Sequence, residues 1–155
     1  MMQIYRKGGT MGGSVTGQDE WLLFQVLTPA QAQELASVLE VLLPHEGGAF
    51  EAARLATALS LDSTMVGNLG LRALVLGGIT VIRQACLDGS PFVERTLEQR
   101  TEIVAGCEDA SWFQTVLHLA KADFYNRHIV WKEIGYPDLG NDSGYLDKGF
   151  DRLRV

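Results

Sequence analysis

Residues 63–86, STMVGNLGLRALVLGGITVIRQAC, constrain the fold of this 155-residue chain more than any other stretch. Met65, Leu69, Leu71, Leu74, Leu76, Ile79 and Ile82 fall on every side of a helical wheel, so a helix here has no solvent face. It is expected in the middle of a bundle, with Asp62 as its cap. A membrane span is the rival, but Asn68, Arg72 and Arg83 leave only Ala73 to Ile82 as an uncharged apolar run, short of the roughly 20 residues a span needs. Gly67, Gly70, Gly77 and Gly78 fall within about 100° of one another at the helical period. Each costs roughly 0.8–1 kcal/mol against Ala in a helix interior, so the four together cost on the order of 3–4 kcal/mol that something must offset. Close approach of a neighbouring helix is the first expectation, and a ligand lying on the side-chain-free strip is the second. A break at Gly77-Gly78 is the third, because ~24 helical residues would run ~36 Å, longer than a domain of this size is wide.

The flanking segments also read as helices. Thr28-Pro29-Ala30-Gln31 combines an N-cap, a proline at the first helical position and a Gln placed to complete a capping box. Leu35, Val38, Leu39 and Leu42 then form one stripe that Pro44 ends. After the loop His45-Glu46-Gly47-Gly48, a short helix is expected from about Ala49 to Ser60, with Leu55 and Leu59 as its four-apart pair. Thr96-Leu97-Glu98-Gln99 repeats the capping box before a helix to about Cys107. Asp109 or Ser111 opens another, with Phe113, Leu117, Ala120 and Phe124 down one face and His118 on the polar side. Beyond Tyr125 the periodicity fades, and Gly135, Pro137, Gly140 and Gly144 punctuate what is expected to be an extended tail. With no useful β-alternation and no repeat, the fold is expected to be all-α: about five helices in one domain over 21–155, preceded by a mobile, glycine-rich segment over 1–20.

Charge and cysteine usage narrow the function. Nineteen acidic and thirteen basic residues give a net charge of -6, and the basic residues are scattered. Nucleic acid and anionic membrane surfaces both need clustered positive charge, so neither is an expected partner. Cys86 and Cys107 have no Cys-x-x-Cys or Cys/His company that would suggest a metal; they read as two buried thiols, able to pair only in an oxidising compartment. Arg6-Lys7 is followed by Gly, Ser and Thr rather than by an apolar run, so no secretory signal is legible and a cytoplasmic location is expected.

Catalytic patterns are sparse. There is no Gly-x-Ser-x-Gly elbow, no Cys with a His partner and no Gly-Lys-Ser/Thr phosphate loop, and the glycine-rich stretches lack the preceding strand of a dinucleotide site. His45 sits in a glycine-bounded loop and reads as solvated. His128 lies five residues before Glu133, a pair that could transfer a proton, although a metal would need more ligands than these two.

Thr96 to Pro137, TLEQRTEIVAGCEDASWFQTVLHLAKADFYNRHIVWKEIGYP, resembles the gluconate 2-dehydrogenase subunit 3 family, small subunits of bacterial flavin-dependent sugar dehydrogenases. The match rests on the aromatic pair Phe124-Tyr125, on Trp131, and on Gly135-Tyr136-Pro137. Upstream, Leu27 to Pro44 is similar to the family's opening helix. The resemblance implies a non-catalytic subunit, without cofactor or metal of its own, that binds and stabilises a large FAD-carrying oxidoreductase of the glucose-methanol-choline type acting on sugars or glycosides. The residues it would present to that partner are Trp112, Tyr125, His128, Trp131, Tyr136, Pro137 and Tyr145. Many members travel to the periplasm on a twin-Arg signal; none is legible here, so a periplasmic location would require a trimmed signal or one on the partner. A small stand-alone enzyme using His128 with Glu133 or His118, and a helical ligand binder with the glycine strip as its floor, are the alternatives.

Overall fold

The structure, a computed structural model, describes residues 19–136; residues 1–18 and 137–155 lie outside the described residues, and with them Pro137, Tyr145 and all but the last two residues of the expected N-terminal segment. Asp19 and Glu20 already belong to the folded part, at the start of a 3-10 turn over Glu20–Leu23. Six α-helices follow: α1 (Pro29–Leu42), α2 (Gly48–Gly67), α3 (Leu69–Ala85), α4 (Leu97–Ala105), α5 (Ser111–Tyr125) and α6 (His128–Glu133), with a second 3-10 turn over Phe92–Glu94 between α3 and α4. Among the described residues there is no strand, and no helix is long and apolar enough to cross a membrane.

Both capping boxes form. Thr28 Oγ1 accepts from the Gln31 amide at 3.3 Å while Gln31 Oε1 accepts from the Thr28 amide at 3.0 Å, and Thr96 with Gln99 repeats this at 3.3 and 3.2 Å. These satisfy donors that every helix start leaves unpaired, which is why the starts of α1 and α4 were readable.

The 63–86 stretch folds differently from the expectation. The chain breaks at Asn68, between Gly67 and Leu69, rather than at Gly77-Gly78. Asn68 leaves helical geometry and its side chain caps α3 by accepting from the Leu71 amide at 2.9 Å. Asp62 is therefore no cap. It lies inside α2, 2% exposed, and its two carboxylate oxygens accept from the backbone amides of Gln25 (2.6 Å), Val26 (3.0 Å) and Leu27 (2.9 Å). Three amides with no secondary-structure partner converge on one charge, which fastens the lead-in of α1 to the middle of α2.

The central helix is α2, which packs against α1, α3, α5 and α6. Its buried positions mix small residues, Ala53, Thr57 and Ala58, with the larger Leu61 and Met65, so it both admits and fills against its neighbours. Leu55 and Leu59, the expected apolar pair of this region, lie only partly buried at the core's edge. In α3 only the stripe Leu71, Val75, Gly78, Ile79 and Ile82 is buried; Leu69 is 75% and Val81 42% exposed on the other side. The glycines divide the same way. A Cβ on Gly78 would lie 2.5 Å from the Trp112 ring, whereas Gly67 and Gly77 have nothing within 4 Å and Gly70 meets only the Asn68 side chain. Close approach thus explains one glycine of the four.

Candidate partner-binding surface

The end of the bundle formed by the α1–α2 loop, the end of α5 and α6 carries most of the residues named from sequence. His45 stacks on Phe50 (ring centroids 4.8 Å apart, planes at 24°) and on Phe124 (5.9 Å, 6°), and its Nε2 forms a 2.8 Å hydrogen bond with the Tyr125 hydroxyl. His45 is thus a partly buried tie between the loop and α5, not the solvated loop residue its glycine neighbours suggest. The loop is held from beneath by Arg54 of α2, whose Nη1 donates to the carbonyls of Leu43 (3.0 Å) and His45 (2.6 Å). Gly47, at φ +120°, makes the turn into α2 with a backbone that side-chain-bearing residues rarely adopt.

A polar junction fixes α6 beside this cluster. Asp123 Oδ2 accepts from Thr57 Oγ1 at 2.7 Å and from Arg127 at 2.9 Å (Nε) and 2.6 Å (Nη2). Burial pushes the Asp123 carboxyl up, but bonds from Thr57, Arg127 and Ser60 and the Arg127 charge outweigh it and hold the group below its usual range. The sign follows: this contribution to stability is fully present above the ordinary carboxylate pKa and is lost as pH falls through the lowered folded value.

Residues 128–133 form a helix where the fading periodicity suggested tail. At six residues it is too short to display a repeat, but its stop is a Schellman motif: the Tyr136 amide donates to the Trp131 carbonyl at 2.8 Å and the Gly135 amide to the Lys132 carbonyl at 3.3 Å, with Gly135 at φ +80°. Gly135-Tyr136 is therefore a helix stop. Trp131 turns inward, its indole N–H donating to the Tyr125 carbonyl, and its ring meets that of His128 at 6.4 Å and 60°.

The sequence-named residues separate on this scaffold. Trp112 is 8% exposed, in contact with Gly78 and edge-on to Phe113, so it belongs to the chain's own core rather than to a free surface. Tyr125 and Trp131 are half committed to internal bonds, while Tyr136 is 63% exposed. Beside them are two residues that the sequence reading missed, Ile129 (42%) and Ile134 (43%); their only signal was an apolar side chain that fits no core stripe. His128 and Glu133 occupy the two ends of α6, where a five-residue offset turns their side chains about 140° apart around the axis. Helical geometry does not bring them together as an acid–base pair. Among the described residues no three His, Cys, Asp or Glu side chains gather as metal ligands, and Cys86 and Cys107 are free, partly exposed thiols bonded to the carbonyls of Ile82 and Ile103.

No family model, curated protein or solved structure matches this chain.

Proposed function

We propose that the chain is a non-catalytic subunit that binds and stabilises a large FAD-dependent oxidoreductase of the glucose-methanol-choline type, acting on sugars or glycosides, through the end of the bundle that carries α6. The observation that carries this reading is the contrast within that end: His45, Phe124 and Trp131 are locked by internal bonds and stacks, while Ile129, Ile134 and Tyr136 stand exposed on the short helix and its stop. Exposed apolar and aromatic side chains carried on a fixed backbone pay less ordering on docking than those on a mobile segment, which supports this end as the contact surface. The resemblance of Thr96–Pro137 to flavin-dependent dehydrogenase small subunits names the partner class, and FAD would be bound by that partner. The reading is tested by co-expressing the chain with such a flavoprotein from the same organism. A co-purifying complex with flavin absorbance, and loss of flavoprotein solubility without the chain, are the expected results; a soluble flavoprotein that never associates with it would overturn the assignment.

A further inference from the structure

The attachment of α6 to the bundle differs from that of the helices it meets. Of its side chains Val130 is buried and Trp131 half-buried, while Ile129, Lys132 and Glu133 are exposed; α2, against which it packs, buries seven residues along its length. Isolated helices shorter than about 12 residues are marginal in water, so six residues need tertiary attachment to stay helical. The strongest attachments are polar. Arg127 stands at the N-cap, where its carbonyl accepts from the amides of Val130 (3.0 Å) and Trp131 (3.1 Å), and its guanidinium is the group that Asp123 holds. Asp123 is in turn bonded to Thr57, fully buried in the middle of α2. One residue thus both starts α6 and ties it to α5 and α2. The indole bond of Trp131 to the Tyr125 carbonyl is a further tie.

We propose that α6 with its Gly135 stop opens and closes as a unit of its own, that the Thr57–Asp123–Arg127 junction is its latch, and that only the closed form presents the partner-binding surface. Regions with little buried apolar surface open at a smaller free energy than the whole fold. Opening would take away the helix that holds Ile129, Ile134 and Tyr136 in one frame, whereas the five longer helices keep their own core. The inference rests on the reading of this end as the docking surface. Arg127 acts in it as a positioning residue, through α6.

The test is hydrogen exchange of the full chain, read at single amides by NMR. Relative to their unprotected rates, the amides of Val130, Trp131 and Ile134 are expected to exchange about tenfold or more faster than those of Ala58 and Leu61 inside α2, by an opening that denaturant barely affects. Arg127→Met should speed the α6 amides about tenfold further and leave those of α2 unchanged, as fits the loss of a charge-assisted bond. Arg127→Lys, which keeps a cation for Asp123, should recover part of the protection. Arg83→Met, which breaks the ion pair with Glu34 at 2.7 Å, should leave α6 unmoved. Added flavoprotein should slow α6 exchange by about tenfold or more, because a ligand of the closed form alone shifts the equilibrium towards it. A flavoprotein that does not associate overturns the docking reading, and exchange of the chain alone still decides whether α6 opens by itself. Exchange of α6 and α2 at one rate with one denaturant slope, Arg127→Met speeding both alike or neither, or association that leaves α6 exchange unchanged would each overturn the inference.

Discussion

Two aromatic regions of this chain are built from similar residues and finish in different states. Around the first turn of α5, Trp112 fills the space over Gly78, and little of it is left outside. At the far end of the same helix, His45, Phe50, Phe124 and Tyr125 form an equally ordered cluster, yet Ile129, Ile134 and Tyr136 next to it remain 42–63% exposed. The first region is complete within the chain. In the second, internal bonds hold the scaffold and leave part of its apolar surface in water, and it is this surface that the proposed partner would cover.

Substitutions can break this comparison. The largest effect is expected at Gly78→Ala: its new methyl would lie 2.5 Å from the Trp112 ring, and overpacking of this kind costs about 1–3 kcal/mol, read as a lowered denaturation midpoint. An unchanged midpoint would mean that the α3–α5 contact is loose. His45→Ala comes next, at about 1–2 kcal/mol, since it removes the bond to Tyr125 and three ring contacts, with Phe50, Phe124 and Tyr125. Gly77→Ala, one residue from the tight contact, is expected to stabilise the chain by up to about 1 kcal/mol, because a Cβ there meets nothing and Ala is the better helix former. Opposite signs at neighbouring glycines would confirm that packing requires only one of them; a loss at Gly77 would mean that its open face is covered in solution.

Local signals in the sequence were the legible ones. The two Thr-x-x-Gln boxes located the starts of α1 and α4 because the interaction lies within four residues. What was not legible depends on distant partners. Asp62 looks like a cap until the amides of residues 25–27 arrive from 35–37 positions away. Arg54 and Thr57 sit inside α2 because carbonyls of the α1–α2 loop and Asp123 of α5 meet them there, so the central helix carries too many polar residues to read as central. The 63–86 stretch, apolar all round, reads as that helix, but apolar content does not separate a buried face from a face left exposed, as Leu69 and Val81 are. At the candidate surface, Tyr136 is visible from sequence, whereas the role of His45 depends on a stack with Phe124 and a hydrogen bond to Tyr125, 80 positions away.

The smallest effect on stability is expected at Ile134→Ser with Tyr136→Ser, and it carries the most direct test. Exposed positions of this kind alter folding by only about 0.5 kcal/mol each. The double variant alone should melt as the parent does. Co-expressed with the flavoprotein and passed through gel filtration, the parent chain is predicted to co-elute with flavin absorbance, and the double variant to elute apart from it. Co-elution of the variant at the parent's level would contradict the account that this end of the bundle is the docking surface.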